Sequence, residues 1–325
     1  MIEKEELAKA LPLADNYKVI KIPKKKGRQR IISIPSPELK KIQRKILRYL
    51  KFCQPWVGSS YIFGLYKGSY VDHARKHANS RWVFQFDLKD AFSSVKKDIV
   101  KRVLHNEIYW DICFRHPQKY AKWFGLDPES PYILDFIERS DKSERLADEL
   151  TELILPLTTF KGTLPQGAPT SPIIFYLALS KSGLLYELSE IYRQKCIVSC
   201  YVDGFAVSGF RISSETEKKI LECVEKTGFR VNANKTHNSD CRQAAHLIAG
   251  IRVDGLNGNI SLPKKHIRKW RGIIHRATYE TDPIARKKLE KRIKGFIDSL
   301  KPIYGENLPP QIKEPYMALQ YNKPA

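Results

Sequence analysis

The sequence predicts an α+β fold in which short strands deliver carboxylates at their ends and amphipathic helices cover the sheet. Three observations predict it. Trp82-Val83-Phe84-Gln85-Phe86-Asp87 is a run of β-formers that ends on an acid. Tyr201-Val202-Asp203-Gly204-Phe205-Ala206-Val207-Ser208 has β-formers on both sides of a polar break, which reads as a hairpin with one carboxylate at its tip. Between and around these runs, apolar residues recur at helical spacing. With 325 residues, 42% apolar and 11% aromatic, the chain can bury a core and is not a disordered sequence.

Charge narrows the function classes. A formal net charge of +22 calls for a polyanionic partner or an acidic membrane. No apolar run approaches the ~18 residues of a membrane span, and the start, Met1-Ile2-Glu3-Lys4-Glu5-Glu6, lacks a signal-peptide profile. No membrane association is expected, and nucleic acid is the expected partner. The six cysteines, Cys53, Cys113, Cys196, Cys200, Cys223 and Cys241, form no C-x-x-C pair and no zinc pattern, so free thiols and a cytoplasmic location are expected.

The elements follow in order. Residues 5–13 read as a short helix. Residues 17–35 alternate around Lys24-Lys25-Lys26-Gly27-Arg28-Gln29-Arg30, a hairpin with a charged tip. Ser36-Pro37-Glu38-Leu39 opens a helix with an N-cap and proline in its first turn. That helix buries Leu39, Ile42, Ile46, Leu47 and Leu50 and turns Lys40, Lys41, Arg44, Lys45 and Arg48 outward. A helix runs from Lys97 to about His105. Residues 106–160 read as a helical insertion, with helix over 138–154. Leu164-Pro165-Gln166-Gly167-Ala168-Pro169-Thr170-Ser171-Pro172 is a turn leading into one long apolar helix from Ser171 to about Glu190. Strands 196–202 and 205–209 flank the acidic tip. The next helix spans about Ser214–Thr227, with Ser214 and Glu217 at capping-box spacing. Gly228-Phe229-Arg230-Val231-Asn232 turns back into a strand, and residues 246–262 hold two short strands around Gly255-Leu256-Asn257-Gly258. From Pro263 the chain is helical and basic: Lys264–Lys301 carries 13 Lys or Arg against Glu280, Asp282, Glu290 and Asp298. The segment after Pro302 reads as a Pro-rich loose tail.

The Asp87 strand, the Gln166-Gly167 turn and the Asp203 hairpin, in this order, resemble motifs A, B and C of a reverse transcriptase, across roughly residues 18–300. The resemblance implies a right-hand polymerase fold. Residues 1–86 would be fingers with an N-terminal helix, 87–262 a palm with the insertion near 106–160, and 263–325 a basic helical thumb and C-terminal tail. It implies two Mg²⁺ ions, bridged by Asp87 and Asp203 with the Leu88 carbonyl as a further ligand, because Mg²⁺ prefers hard oxygen donors. Phe92, five residues after Asp87, would lie beneath the sugar of the incoming nucleotide and favour dNTP over rNTP. Gln166 and Gly167 would meet phosphate or template backbone at a helix start. Arg28 and Arg30 would fold over the triphosphate. Lys235 matches a lysine placed to protonate the pyrophosphate leaving group. Lys264, Lys265, Arg268, Lys269 and Arg271 would grip nucleic acid from the thumb.

Within this class the chain resembles bacterial retron reverse transcriptases and related defence-associated enzymes. Ile22-Pro23-Lys24 to Leu39-Lys40 resembles the retron finger entry. His73-Ala74-Arg75-Lys76-His77 resembles the Asn-Ala-x-x-His motif with His73 replacing Asn, and Ile248-Ala249-Gly250 stands where retrons carry Val-Thr-Gly. The resemblance implies a structured noncoding RNA as primer and template, a branched RNA–DNA product (msDNA), and a separate effector protein in anti-phage defence. One residue departs from the pattern: Gly204 stands where such families carry the second Asp of Tyr-x-Asp-Asp. Two expectations follow. Either water and substrate oxygens complete the coordination and the chain polymerises, or it is a weakened or inactive RNA-binding scaffold.

Overall fold

The computed structural model describes residues 3–23, 29–53, 62–64, 68–129, 137, 141–192 and 196–321. Its first elements follow the pattern of the sequence. Helix α1, Lys4–Ala10, precedes strands β1, Tyr17–Pro23, and β2, Gln29–Pro35. These pair antiparallel with Ile20 opposite Ile32. The tip of that hairpin, with Lys24, Lys25, Lys26 and Arg28, lies outside the described residues. Proline stops β2, and the Ser36 hydroxyl then accepts the Leu39 N–H at 3.2 Å, so helix α2, Pro37–Cys53, begins at a capped start. Leu39, Ile46 and Leu50 face inward, and Gln43 joins them by donating to the Leu157 carbonyl at 2.9 Å.

Five strands form the central sheet: β3, Ile62–Phe63; β4, Trp82–Asp87; β5, Ile197–Tyr201; β6, Gly204–Gly209; and β7, His237–Asp240. Their order is β3-β5-β6-β4-β7, with β3 parallel to β5 and the other pairs antiparallel. The two-residue period of a strand divides β4 between two cores. Phe84 and Phe86 join the larger core, while Val83 joins a second one with Ala206 and the C-terminal helices. Phe86 stacks on Phe205 across the strands, ring centroids 5.0 Å apart.

The larger core is filled by α1 and α2, by α5, Lys97–Trp110, and α6, Pro117–Phe124, and by the helices α7, Asp141–Thr158, α8, Ser171–Lys181, and α9, Leu184–Tyr192. A π-helical turn, Asp111–Arg115, joins α5 to α6. The opposite face receives α3, Tyr70–Lys76, and a three-stranded sheet of β8, His246–Ile248, β9, Ile251–Val253, and β10, Ile260–Ser261, besides α11, Lys264–Tyr279, α12, Pro283–Tyr304, and α13, Pro310–Tyr321. Among the described residues no helix is long and apolar enough to cross a membrane.

Five sequence expectations need correction. The long helix from Ser171 breaks into α8 and α9, because Gly183 takes φ +81°, outside the helical region. Helix α10, Ser214–Lys226, is capped by Ser213 rather than Ser214: the Ser213 hydroxyl accepts the Thr216 N–H at 3.1 Å. Residues 228–232 form no strand; only Val231 makes an isolated bridge, to Leu88. Residues 246–262 carry three strands, since Ala249-Gly250, both at positive φ, closes a hairpin of its own between β8 and β9. The segment after Pro302 is no loose tail: α13 buries Ile312 and Leu319 against the C-terminal core.

Candidate active site

The site sits where β4 ends and the β5–β6 hairpin turns. Asp87 pairs in register with Gly204, so the tip residue Asp203 lies directly beside it. The Leu88 N–H donates to the Asp203 carbonyl at 2.9 Å, tying the two segments at the point where the carboxylates emerge. The hairpin has a two-residue tip, Val202-Asp203, and Val202 takes φ +58°. Turns of this kind usually place glycine there, and a β-branched residue in that region is strained by ~1–3 kcal/mol. Val202 packs partly into the larger core, which holds the tip in place.

A second clasp forms on the other side of Asp87. The Asn232 N–H donates to the Asp87 carbonyl at 2.8 Å, and the Lys89 N–H donates to the Arg230 carbonyl at 2.7 Å. A short 3-10 turn, Ala233–Lys235, follows and swings Lys235 back, so that its ammonium pairs with the Asp87 carboxylate. These main-chain clasps leave no side-chain signature and are invisible in the sequence.

The electrostatics fit a cation site. Burial, then the Asp87 charge, push the Asp203 carboxyl above the ordinary aspartate range, and the charges of Lys235 and Arg30 partly offset this. A partly buried carboxylate raised in this way beside a second one gains from a shared divalent cation. Among the described residues no third His, Cys, Asp or Glu joins them. Mg²⁺ commonly binds through one or two carboxylates plus substrate phosphates and water, so this donor set fits Mg²⁺ without a third acid. The Leu88 carbonyl is not used by the clasp that binds Asp87 and Lys89.

The structure also places the other candidates. Phe92 lies on the short helix α4, Ala91–Ser94, half-buried, with its ring centroid 5.3 Å from that of Phe175. Asp90, in the left-handed region at φ +50°, turns the chain from the Asp87 strand into that helix. The Gln166-Gly167 turn lies against β2: the Ser33 N–H donates to the Gln166 carbonyl at 2.9 Å. Gly167 takes φ +134°, and a Cβ there would stand 2.6 Å from the Ser33 carbonyl oxygen. The close approach that glycine permits is thus to the β1–β2 hairpin, which fixes the strand bearing Arg30 relative to the carboxylates. Arg28 is outside the described residues.

Lys264, Lys265, Arg268, Lys269 and Arg271 are all exposed on α11, away from the acidic pair in sequence. Lys264, Arg268 and Arg271 share one stripe with His275 and Tyr279, whose rings lie 4.9 Å apart. His73 and His77 are buried, not displayed. The His77 Nε2 and the His73 Nδ1 meet the Ser199 hydroxyl at 2.7 and 2.8 Å, and the His77 Nδ1 meets the Ser208 hydroxyl at 2.7 Å. This role was missed from sequence, although alternating Ser199 and Ser208 in otherwise apolar strands were a signal that polar partners must cover them.

Residues 22–274 match the family described as Reverse transcriptase (RNA-dependent DNA polymerase). The chain is 25% identical over 301 residues to the Retron Mx65 reverse transcriptase of Myxococcus xanthus, covering 90% of this chain and 63% of that protein. It is 27% identical over 282 residues to the Retron Mx162 reverse transcriptase of the same organism, covering 81% and 53%. The chain thus spans about half to two thirds of the length of the relatives it matches. Among solved structures, apo telomerase from Candida tropicalis superposes with a TM-score of 0.50 at 14% identity, covering 94% of this chain and 55% of that chain. The same telomerase in complex with the TWJ fragment of telomeric RNA gives 0.50 at 10% identity, covering 94% and 61%. At such identities the likeness shows the fold alone.

Proposed function

The chain belongs to the reverse transcriptase family, and from that premise we propose that it is an RNA-directed DNA polymerase of the retron type. In this reading it copies a structured noncoding RNA into RNA-linked single-stranded DNA, using dNTPs, in anti-phage defence alongside a separate effector protein. The observation that carries the polymerase reading is the pairing of Asp87 with the hairpin tip at Asp203, inside a net charge of +22.

Two Mg²⁺ ions, when bound, would neutralise the attacking oxygen, the transferred phosphate and the leaving pyrophosphate. Asp87 and Asp203 would hold them, with the Leu88 carbonyl. Arg30, on the strand fixed by Gly167, reaches the same charge field and would bind the triphosphate. Phe92, braced by Phe175, would lie under the sugar and exclude a 2′-hydroxyl. Lys235 would exchange its ion pair with Asp87 for the pyrophosphate and give that group a proton from Nζ. The exposed cations of α11, Lys264, Lys265, Arg268, Lys269 and Arg271, would grip the RNA–DNA duplex.

A second reading, an RNA-binding scaffold with a weakened centre, draws on Gly204. A Cβ at this position would stand 3.3 Å from the Asp87 Oδ1 and 3.7 Å from the Tyr201 carbonyl oxygen, so an aspartate fits with a small shift. Extension of a DNA primer on an RNA template separates the two readings. Mg²⁺-dependent dNTP incorporation by the chain as it stands supports the polymerase; synthesis seen only in Gly204→Asp supports the scaffold. Sequencing of copurifying nucleic acid tests the finer claim, for which RNA-linked DNA of defined sequence is the expected result and its absence from an actively extending protein is the contrary one.

A further inference from the structure

The basic face of α2 is not used by the site just described. Its side chains point away from the carboxylates. Leu39, Ile46 and Leu50 of α2 share a core with Phe84 and Phe86, and Asp87 lies on the other side of that strand by the two-residue period. The outward half of α2 carries Lys41, Arg44 and Arg48, all exposed. Their i, i+3, i+7 spacing makes one stripe about 10 Å long. Among the described residues these three form no ion pair with an acid.

The stripe runs into a cleft at the C-terminal end of the helix. The cleft has a volume of about 400 Å³ and is lined by Glu6, Arg48, Tyr49, Phe52, Lys119 and Tyr120 among others. Its floor is locked by hydrogen bonds. The Tyr49 and Tyr120 hydroxyls lie 3.1 Å apart, Tyr120 donates to the Asp111 Oδ2 at 2.5 Å, and the His116 Nδ1 meets the Asp111 Oδ1 at 2.6 Å. The π-helical turn brings Asp111 and His116 together, a distortion frequent at functional sites. Phe52 stacks on His116 at 4.2 Å, and the Lys119 ammonium lies 3.2 Å from the centre of the Phe52 ring, so a cation is held at the rim.

We propose that this face is a second RNA-binding surface, in which Lys41, Arg44 and Arg48 track the phosphates of a folded RNA and the cleft receives an unpaired nucleotide of the same molecule between Arg48 and Lys119. A row of exposed cations that no acid neutralises suits a polyanion, whose phosphates they can pair with in sequence. An aromatic-floored cleft with cations on its rim suits a nucleotide. The choice of RNA over DNA rests on the polymerase reading above. The surface would hold the structured part of an RNA while its template end occupies the carboxylate cleft on the opposite side of the sheet.

The test uses the full chain loaded with a DNA primer on a short RNA template. A labelled hairpin RNA, with or without an unpaired tail, is then titrated in at several salt concentrations. For the variant Lys41→Gln/Arg44→Gln/Arg48→Gln, hairpin binding should weaken by on the order of tenfold or more, and the slope of log K against log[salt] should fall by about 2–3. Primer extension should stay unchanged. Lys119→Gln should weaken only the tailed hairpin. Wild-type hairpin binding by the triple variant would overturn the proposal. So would equal loss of extension and hairpin binding in a variant whose circular dichroism and melting match wild type, since the stripe would then serve the polymerase cleft. Loss of binding to anionic phospholipid vesicles with RNA binding intact would assign the face to a membrane instead. If the wild type extends no primer, the polymerase reading fails, but the hairpin arm still decides this surface.

Discussion

One face of the central sheet is two different surfaces. At its upper end Asp87, Asp203 and Lys235 stand half-open, with Asp87 paired to Lys235 and the Asp203 carboxyl pushed up by burial and the Asp87 charge. Two to four residues down the same strands, the face is closed and neutral. There His73 and His77 of α3 bond Ser199 of β5 and Ser208 of β6, and Ser208 lies 2.9 Å from the Ser80 hydroxyl. Ser80 also presents its carbonyl to the His246 Nε2 of β8 at 3.1 Å. The contrast teaches how a strained hairpin tip is held: the charged end is left free for ligands, while a satisfied polar chain beneath it fixes the strands that carry it.

The comparison breaks most sharply at its charged end. Asp87→Asn should lower primer extension by on the order of 10³-fold or more, a loss of several kcal/mol of transition-state stabilisation, with the melting temperature little changed. An effect under tenfold would remove Asp87 from the chemistry.

Acid is the next lever, and it acts on the closed end. Burial pushes the His73 imidazole down to about 4, and burial followed by the charges of His73 and His246 holds His77 well below its ordinary range. The unfolded chain takes up these protons near 6.5, whereas the folded chain resists them. Stability is therefore full at neutral pH and falls as pH drops from 6.5 towards 4, by about 3 kcal/mol from His73 alone. Urea titrations across that range check it, and the slope should shrink in a His73→Asn variant. Replacing His77 by Leu removes one hydrogen bond each from the Ser199 and Ser208 hydroxyls, which keep only His73 and Ser80, and should cost about 1–3 kcal/mol at neutral pH by the same measurement.

A smaller effect tests the link between the charged end and the β1–β2 hairpin. A Cβ at Gly167 would meet the Ser33 carbonyl at 2.6 Å in a backbone conformation few side chains adopt. Gly167→Ala should cost on the order of 1–3 kcal/mol and raise the KM for dNTP as β2 and Arg30 shift. An unchanged KM would uncouple the two regions.

How much of this was legible differs between the same two ends. The carboxylates were readable, because strand alternation and turn chemistry act over a few residues around Asp87 and Asp203. The start of α2 was readable for the same reason. The polar chain was not, since His73 and Ser199 lie 126 positions apart and only the fold brings them together. Apolar continuity hid the break at Gly183. Prolines at 302, 309, 310 and 315 suggested a tail, although proline in a first helical turn is favourable and Ile312, Tyr316 and Leu319 keep helical spacing. The position of Ser213 one residue before Ser214 shows how a doubled serine conceals which one is the cap.

The central claim is that Asp87 and Asp203 share divalent cations, and direct metal counting tests it most closely. Mn²⁺ binding can be followed by electron paramagnetic resonance on the chain loaded with a chain-terminated primer, an RNA template and the next dNTP. Two bound ions are expected, with at least one lost in Asp203→Asn and the affinity raised in Gly204→Asp. The same number of ions bound with the same affinity in Asp87→Asn, Asp203→Asn and wild type would contradict the account.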